Sequence, residues 1–235
     1  MMPTMPWSPL LDRYARNRTS LEAVDQERLR QSHVLVAGAG GLGGYVVELL
    51  ARIGVGRLTI VDGDRFEPSN LNRQLLCLED NLGSPKAEAA KARVARIDKS
   101  VVCDIVPAFL DIKGFAQRMA GVSMVVDALG GISAHRNVCT ACKEQDIPLA
   151  TGAVAGWTGL AATVLPGGPD PDVLWQADDA RDAERTLGSL APAAACIASV
   201  QCAETVAWLT GKEPFLAGKM IIVDLRNGLF ERLDL

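Results

Sequence analysis

Residues 33–62 read HVLVAGAGGLGGYVVELLARIGVGRLTIVD, and this stretch decides the fold. It opens on a short continuous apolar run, His33 to Ala37, the mark of a strand buried on both faces of a parallel sheet. Glycines between 38 and 44 then turn the chain into a helix, GYVVELLARIG, that ends at Gly54. A second apolar run, Arg57 to Val61, stops at Asp62. Strand, glycine turn, helix and strand make a βαβ unit of about the expected 30 residues.

Working outward, residues 1–18 read as an extended arm. The helix behind it has Thr19 as its expected cap and Glu22 in capping-box position. The predicted division is therefore an arm and helix over 1–32 and one domain over 33–235. Beyond Asp62, residues 63–83 are polar and irregular. Ser84 and Pro85 stand at the N-cap and first turn of a helix running to about Ile97. Strands follow at 101–106, 122–128 and 147–151, with helices at 112–120 and 133–145. This alternation predicts an α/β fold, a doubly wound, Rossmann-like, mostly parallel sheet. The pattern changes at Gly156. Residues 156–165 read as an antiparallel strand, 192–209 as a helix closed by Gly211, and 219–224 with 229–233 as a terminal hairpin. Residues 166–190, rich in Gly, Pro and Asp, form a loop long enough to point to function or mobility.

Small aliphatic residues carry the hydrophobicity, as a buried parallel sheet requires. The net charge of −4 and the lack of a basic run argue against a nucleic-acid partner. No apolar run approaches the roughly 18 residues of a membrane span, and no signal peptide is legible. Six scattered cysteines, several inside apolar segments, fit a reduced, cytoplasmic protein.

GAGGLG at 38–43 satisfies G-x-G-x-x-G between a strand and a helix. Such glycines let backbone approach a phosphate, which the N–H groups at the helix start can bind. Asp62, about 20 residues on, is placed for ribose hydroxyls. With strand, helix and acid all in place the motif points to nucleotide binding, glycines serving only helix–strand packing being the alternative, and the motif alone does not separate NAD from ATP. The next segment does. After Asp62 the chain reads DGDRFEPSNLNRQLL, and GSPK follows at 83–86. Arg73 and Lys86 lie in separate segments after the strands. Two cations converging on the glycine loop suit a triphosphate, whose leaving pyrophosphate needs electrostatic stabilisation.

GAGGLG, the D-x-D at 62–64, SNLNRQ at 69–74, GSPK, and RYARN at 13–17 together resemble the ThiF/MoeB/HesA family, relatives of ubiquitin-activating enzymes, over about residues 11–233. The resemblance implies ATP-dependent adenylation of the C-terminal carboxylate of a small ubiquitin-like carrier protein ending in Gly-Gly, with ATP and Mg²⁺ required. It implies phosphate binding by Gly41 and its neighbours Gly38, Gly40, Leu42 and Gly43, and ribose binding by Asp62. Asn70, Arg73 and Lys86 would hold the triphosphate, with Asp64, Gln74 and Asp127 also at the nucleotide. Arg16 would reach into the partner subunit's site, making a homodimer the active unit. Residues 166–190 would be a crossover loop over the carrier's tail.

The chain departs from the family in three places. Gly130 stands where a metal-binding Asp is usual, so Mg²⁺ would fall to Asp127 or Asp64, or to Asp172, Asp178 or Asp179 of the loop. Cys139 and Cys142 form one C-x-x-C pair in a helix, where packing is the simpler role, and no zinc site is expected. The crossover loop carries no Cys, so no enzyme thioester is expected; Cys77 reads as the most exposed thiol. Gly130 also motivates an alternative, a catalytically impaired nucleotide- and carrier-binding homologue. A third reading, an NAD-dependent oxidoreductase, rests on the glycine loop alone. A relative acting on a tRNA-linked carboxylate would want a basic patch that is not evident.

Overall fold

A computed structural model describes residues 9–169, 171–175 and 183–235. Asp178 and Asp179 lie outside the described residues. The arm is not extended where it is described: Pro9–Asn17 form a 3-10 helix. Tyr14 ties it down, donating a 2.9 Å hydrogen bond to Asp98 Oδ2, while Arg13 pairs with the same carboxylate. Burial and that carboxylate raise the Tyr14 pKa to about 12. The next helix, α1 (Ala23–Gln31), begins later than Thr19 would have it. Glu22 is the N-cap, its N–H donating to the buried Asp25 carboxylate, which Lys212 also holds at 3.0 Å. Tertiary pairing of Asp25 sets this helix start.

Strand β1 (His33–Ala37) leads through the glycine loop into α2 (Gly41–Ile53) and β2 (Arg57–Val61). The helix starts at Gly41, inside the glycine run. Gly38 takes φ +98°, and a Cβ on Gly43 would lie 1.9 Å from Gly38 O, so the first turn of α2 closes directly onto the loop. Next come α3 (Lys86–Ile97), β3 (Val102–Val106), α4 (Ile112–Ala116), β4 (Met124–Asp127), α5 (Ile132–Glu144) and β5 (Leu149–Ala155). The N-cap of α3 is Pro85, not Ser84, because the Lys86 N–H is taken by Asp64 O at 2.9 Å. The rest of the sheet is β6 (Thr158–Val164), β7 (Lys219–Asp224) and β8 (Leu229–Asp234). Within the expected crossover loop lie a 3-10 turn, Pro171–Trp175, and a short helix, α6 (Ala183–Leu187); α7 (Ala191–Leu209) follows. Asp172 belongs to that turn.

The eight strands form one sheet in the order β3-β2-β1-β4-β5-β6-β7-β8. The first five are parallel and the last three add on antiparallel. β5 runs past Thr151 to Ala155 because β6 pairs with it as far as Ala155–Thr158, beyond the end of its parallel partner β4. Along β1, Val34 and Val36 enter one core with α1, α2, α3 and α7, and Leu35 and Ala37 enter another with α4 and α5. Alternate side chains feed opposite faces, which is why the run could be apolar throughout.

The chain leaves β1 toward β2 on one side, while β4 lies on the other. The loops after β1 and β4 therefore splay apart at a topological switch point, where open α/β sheets form their ligand crevices. Among the described residues, no helix is long and apolar enough to cross a membrane.

Candidate functional site

A cavity of about 770 Å³ opens at that switch point. Gly38, Gly40, Gly41, Leu42, Asp62, Asp64, Asn70, Arg73, Gln74 and Lys86 all line it, so the structure brings these expected residues together. Gly43 does not line it; its place against Gly38 O is a packing one. Leu42 faces both ways, its side chain buried with Ala128, Val154 and Ile197.

Asp62, at the end of β2, pins the glycine loop. Its Oδ2 accepts from Ala39 N at 2.7 Å and its Oδ1 from Asp64 N at 2.8 Å. Burial raises its pKa, opposed by those two bonds and by Lys86. A carboxylate has about four acceptor sites, so Asp62 keeps capacity for further donors. Lys86, nearly buried at the start of α3, places Nζ 3.2 Å from Asp64 Oδ2. Arg73 follows a 3-10 turn, Pro68–Asn70, and donates through Nη1 to Ser69 O and Asn72 Oδ1. Its Nε lies 3.7 Å from where a Cβ on Gly41 would sit, so the guanidinium flanks the glycine loop. Asn70 is buried and accepts from Glu67 N. Gln74 is buried beside Gly40, and its Oε1 has no hydrogen-bond partner among the described residues.

Besides Gly43, two residues stand elsewhere than expected. Asp127 does not line the cavity. It is fully buried, its Oδ1 accepting from Leu129 N at 3.2 Å and its Oδ2 from His135 Nδ1 at 2.6 Å and Thr151 Oγ1 at 2.7 Å. Three donors from β5, α5 and the turn after β4 hold it as an internal brace. Cys77 is not an exposed thiol: it is 5% exposed, packed with Phe66 and Leu76, and burial pushes its pKa up. Cys139 and Cys142 lie one turn apart in the core under α5. Among the described residues, no group of three or more His, Cys, Asp or Glu is arranged to hold a metal ion.

Of the cavity residues that were not anticipated, three bear on its chemistry. His135 stacks on Trp175 with ring centroids 3.8 Å apart and an angle of 3°, and both line the cavity. Arg136 Nε donates to Trp175 O at 2.7 Å. The 3-10 turn of the crossover segment is thus fastened to α5. A lone Trp in a polar stretch was the one legible signal for this. The third, Glu184 on α6, had none.

Arg16 is not at the cavity. It is exposed on the arm, two residues from Tyr14. Tyr14 packs against Gly54, where an added Cβ would meet its ring at 2.6 Å. Gly54 closes the far end of α2, whose 13 residues span about 20 Å from the glycine loop. Arg16 and the cavity of the same chain are therefore at opposite ends of the sheet.

The sheet, its switch-point crevice and the glycine loop braced by an acid define a doubly wound α/β protein of the dinucleotide-fold class. Residues 14–235 match the ThiF family, and the chain belongs to it. A SAMP-activating enzyme E1 of Haloferax volcanii is 34% identical over 226 residues, covering 94% of this chain and 84% of the relative. A molybdopterin-synthase adenylyltransferase of Salmonella typhimurium is 31% identical over 215 residues, covering 89% of this chain and 86% of the relative. Among solved structures, MccB of E. coli with ATP shares the fold at a TM-score of 0.83 and 18% identity, covering 95% of this chain and 71% of that one.

Proposed function

We propose that this protein adenylates the C-terminal glycine carboxylate of a small ubiquitin-like sulfur carrier, using ATP. The observation that carries the reading is the convergence of Arg73 and Lys86, from separate segments, on the cavity at the glycine loop. A nicotinamide needs no such pair of cations. The names of the two relatives, an E1 and an adenylyltransferase, point the same way.

In this reading the N–H groups at the start of α2 and the Arg73 and Lys86 side chains bind the triphosphate. Asp62 accepts the ribose hydroxyls. A carboxylate oxygen of the carrier attacks the α-phosphorus, the bond to the bridging oxygen of the β-phosphate breaks, and pyrophosphate leaves with the electron pair. The carboxylate is already ionised at neutral pH, so no general base is needed. Positioning and charge stabilisation supply the rate. Mg²⁺ bound with the triphosphate neutralises part of its charge. The cavity suits such a hard cation, since carboxylates line it and no thiol does among the described residues. ATP–pyrophosphate exchange tests the reading: exchange should require a carrier ending in Gly-Gly, and none with any cognate carrier would refute it.

The placement of Arg16 supports a homodimer in which each arm serves the other chain's cavity. Arg16→Ala and Lys86→Met chains should each be nearly inactive. Mixed and reassociated, they should regain activity, because each mixed dimer carries one intact site. No recovery in reassociated dimers would exclude the exchange of arms.

A further inference from the structure

We infer that Glu184 supplies the carboxylate that holds the divalent cation of the bound nucleotide, in the space left open at Gly130. The inference rests on the adenylation reading above and adds to it a residue from the crossover segment.

A divalent cation at a nucleotide is held by one or two carboxylates together with phosphate oxygens. Among the described residues, the carboxylates lining the cavity are those of Asp62, Asp64, Glu67 and Glu184. Asp62 is committed to the glycine-loop backbone, Asp64 lies against Lys86, and Glu67 caps the Pro68–Asn70 turn, away from Gly130 in sequence and in its contacts. Asp127 is sealed in the core. Glu184 differs from all of these in what it stands beside. Its Oε1 accepts from Ser189 Oγ at 2.8 Å and lies 3.8 Å from Arg73 Nη2, so it is oriented next to a cation expected to bind phosphate. Its Oε2 lies 3.7 Å from the position a Cβ on Gly130 would take, the only atom within 4 Å of that position among the described residues other than Gly130 and its two chain neighbours. A side chain is missing at Gly130, and the carboxylate of Glu184 reaches the same space from across the cavity.

The segment that carries Glu184 is itself fixed. Gly156 N donates to Gly188 O at 2.7 Å, and Asn72 Nδ2 donates to Ser189 O at 3.2 Å. The Asn72 contact ties α6 to the same stretch as Arg73, so the acid and the guanidinium are positioned together. Glu184 keeps about a third of its side chain exposed, enough for a cation to reach it.

The backbone at Gly130 is not left-handed and an added Cβ makes only ordinary contact, so Asp can be introduced there. This permits a rescue experiment with a readout independent of catalysis. Binding of the non-hydrolysable analogue AMPCPP is measured by calorimetry without metal and with Mn²⁺, and bound Mn²⁺ is followed by electron paramagnetic resonance. Glu184→Gln should reduce the affinity for Mn²⁺ in the ternary complex about tenfold, equal to about 1.4 kcal/mol, while metal-free binding of the analogue changes little. Gly130→Asp in the Glu184→Gln background should restore most of it. Unchanged Mn²⁺ affinity in Glu184→Gln overturns the assignment, as does a loss that Gly130→Asp fails to restore, which would mark Glu184 as purely structural. Failure of the wild type to bind the analogue at all would refute the adenylation reading and this assignment with it.

Discussion

Lys86→Met is expected to slow carrier adenylation by about 10²–10³-fold, the usual effect of losing one charge-stabilising group in a desolvated site. The ammonium lies in a nearly buried position at the cavity, where its field is screened less than at a surface. Methionine keeps the length and apolar stem of the side chain, so packing at the start of α3 is retained. The partner left behind, Asp64, has an exposed carboxylate that water can solvate, and the melting temperature should move little. Initial rates of pyrophosphate release with a cognate carrier, beside a thermal melt, separate the two effects. A rate near that of the wild type would remove Lys86 from the chemistry and leave it a structural partner of Asp64.

The second large effect is on stability. Asp127→Ala should destabilise the fold by about 3–5 kcal/mol, because it strands several buried polar groups at once and each one left unsatisfied costs about 1–3 kcal/mol. The alanine abandons His135 Nδ1, Thr151 Oγ1 and Leu129 N in an environment from which water is excluded. Since domains are held by only about 5–15 kcal/mol, urea denaturation should show the midpoint fall sharply. Asp127→Asn preserves shape and should lose less. Neither change should alter Mn²⁺ affinity in protein that remains folded. A selective loss of metal binding with stability intact would return Asp127 to the role of ligand.

These two residues show how far the chain could be read before its tertiary structure. Both were candidates for the nucleotide site, Lys86 by its place after a strand and at a helix start, Asp127 through the family resemblance. Lys86 is there because α3 begins where Asp64 O takes its N–H, which sets the lysine at the mouth of the cavity. Asp127 is one residue short of the cavity wall that Ala128, Leu129 and Gly130 form. Its side chain falls on the inner side of the strand end, toward His135 and Thr151, and linear order gave no means of telling which way it would point.

The doubly wound sheet, the glycine turn and the pair of cations were legible in the amino-acid order alone. Apolar runs, helical periodicity and glycine spacing are local, and a parallel sheet with right-handed crossovers leaves few ways to assemble them. Tertiary structure alone decided that Cys77 is buried, that Trp175 lies on His135, that Arg16 stands at the far end of α2, and that Glu184 reaches toward Gly130. Each of these depends on segments remote in sequence meeting in space. A side chain's exposure, charge partners and reach are properties of its neighbours, and only folding supplies those.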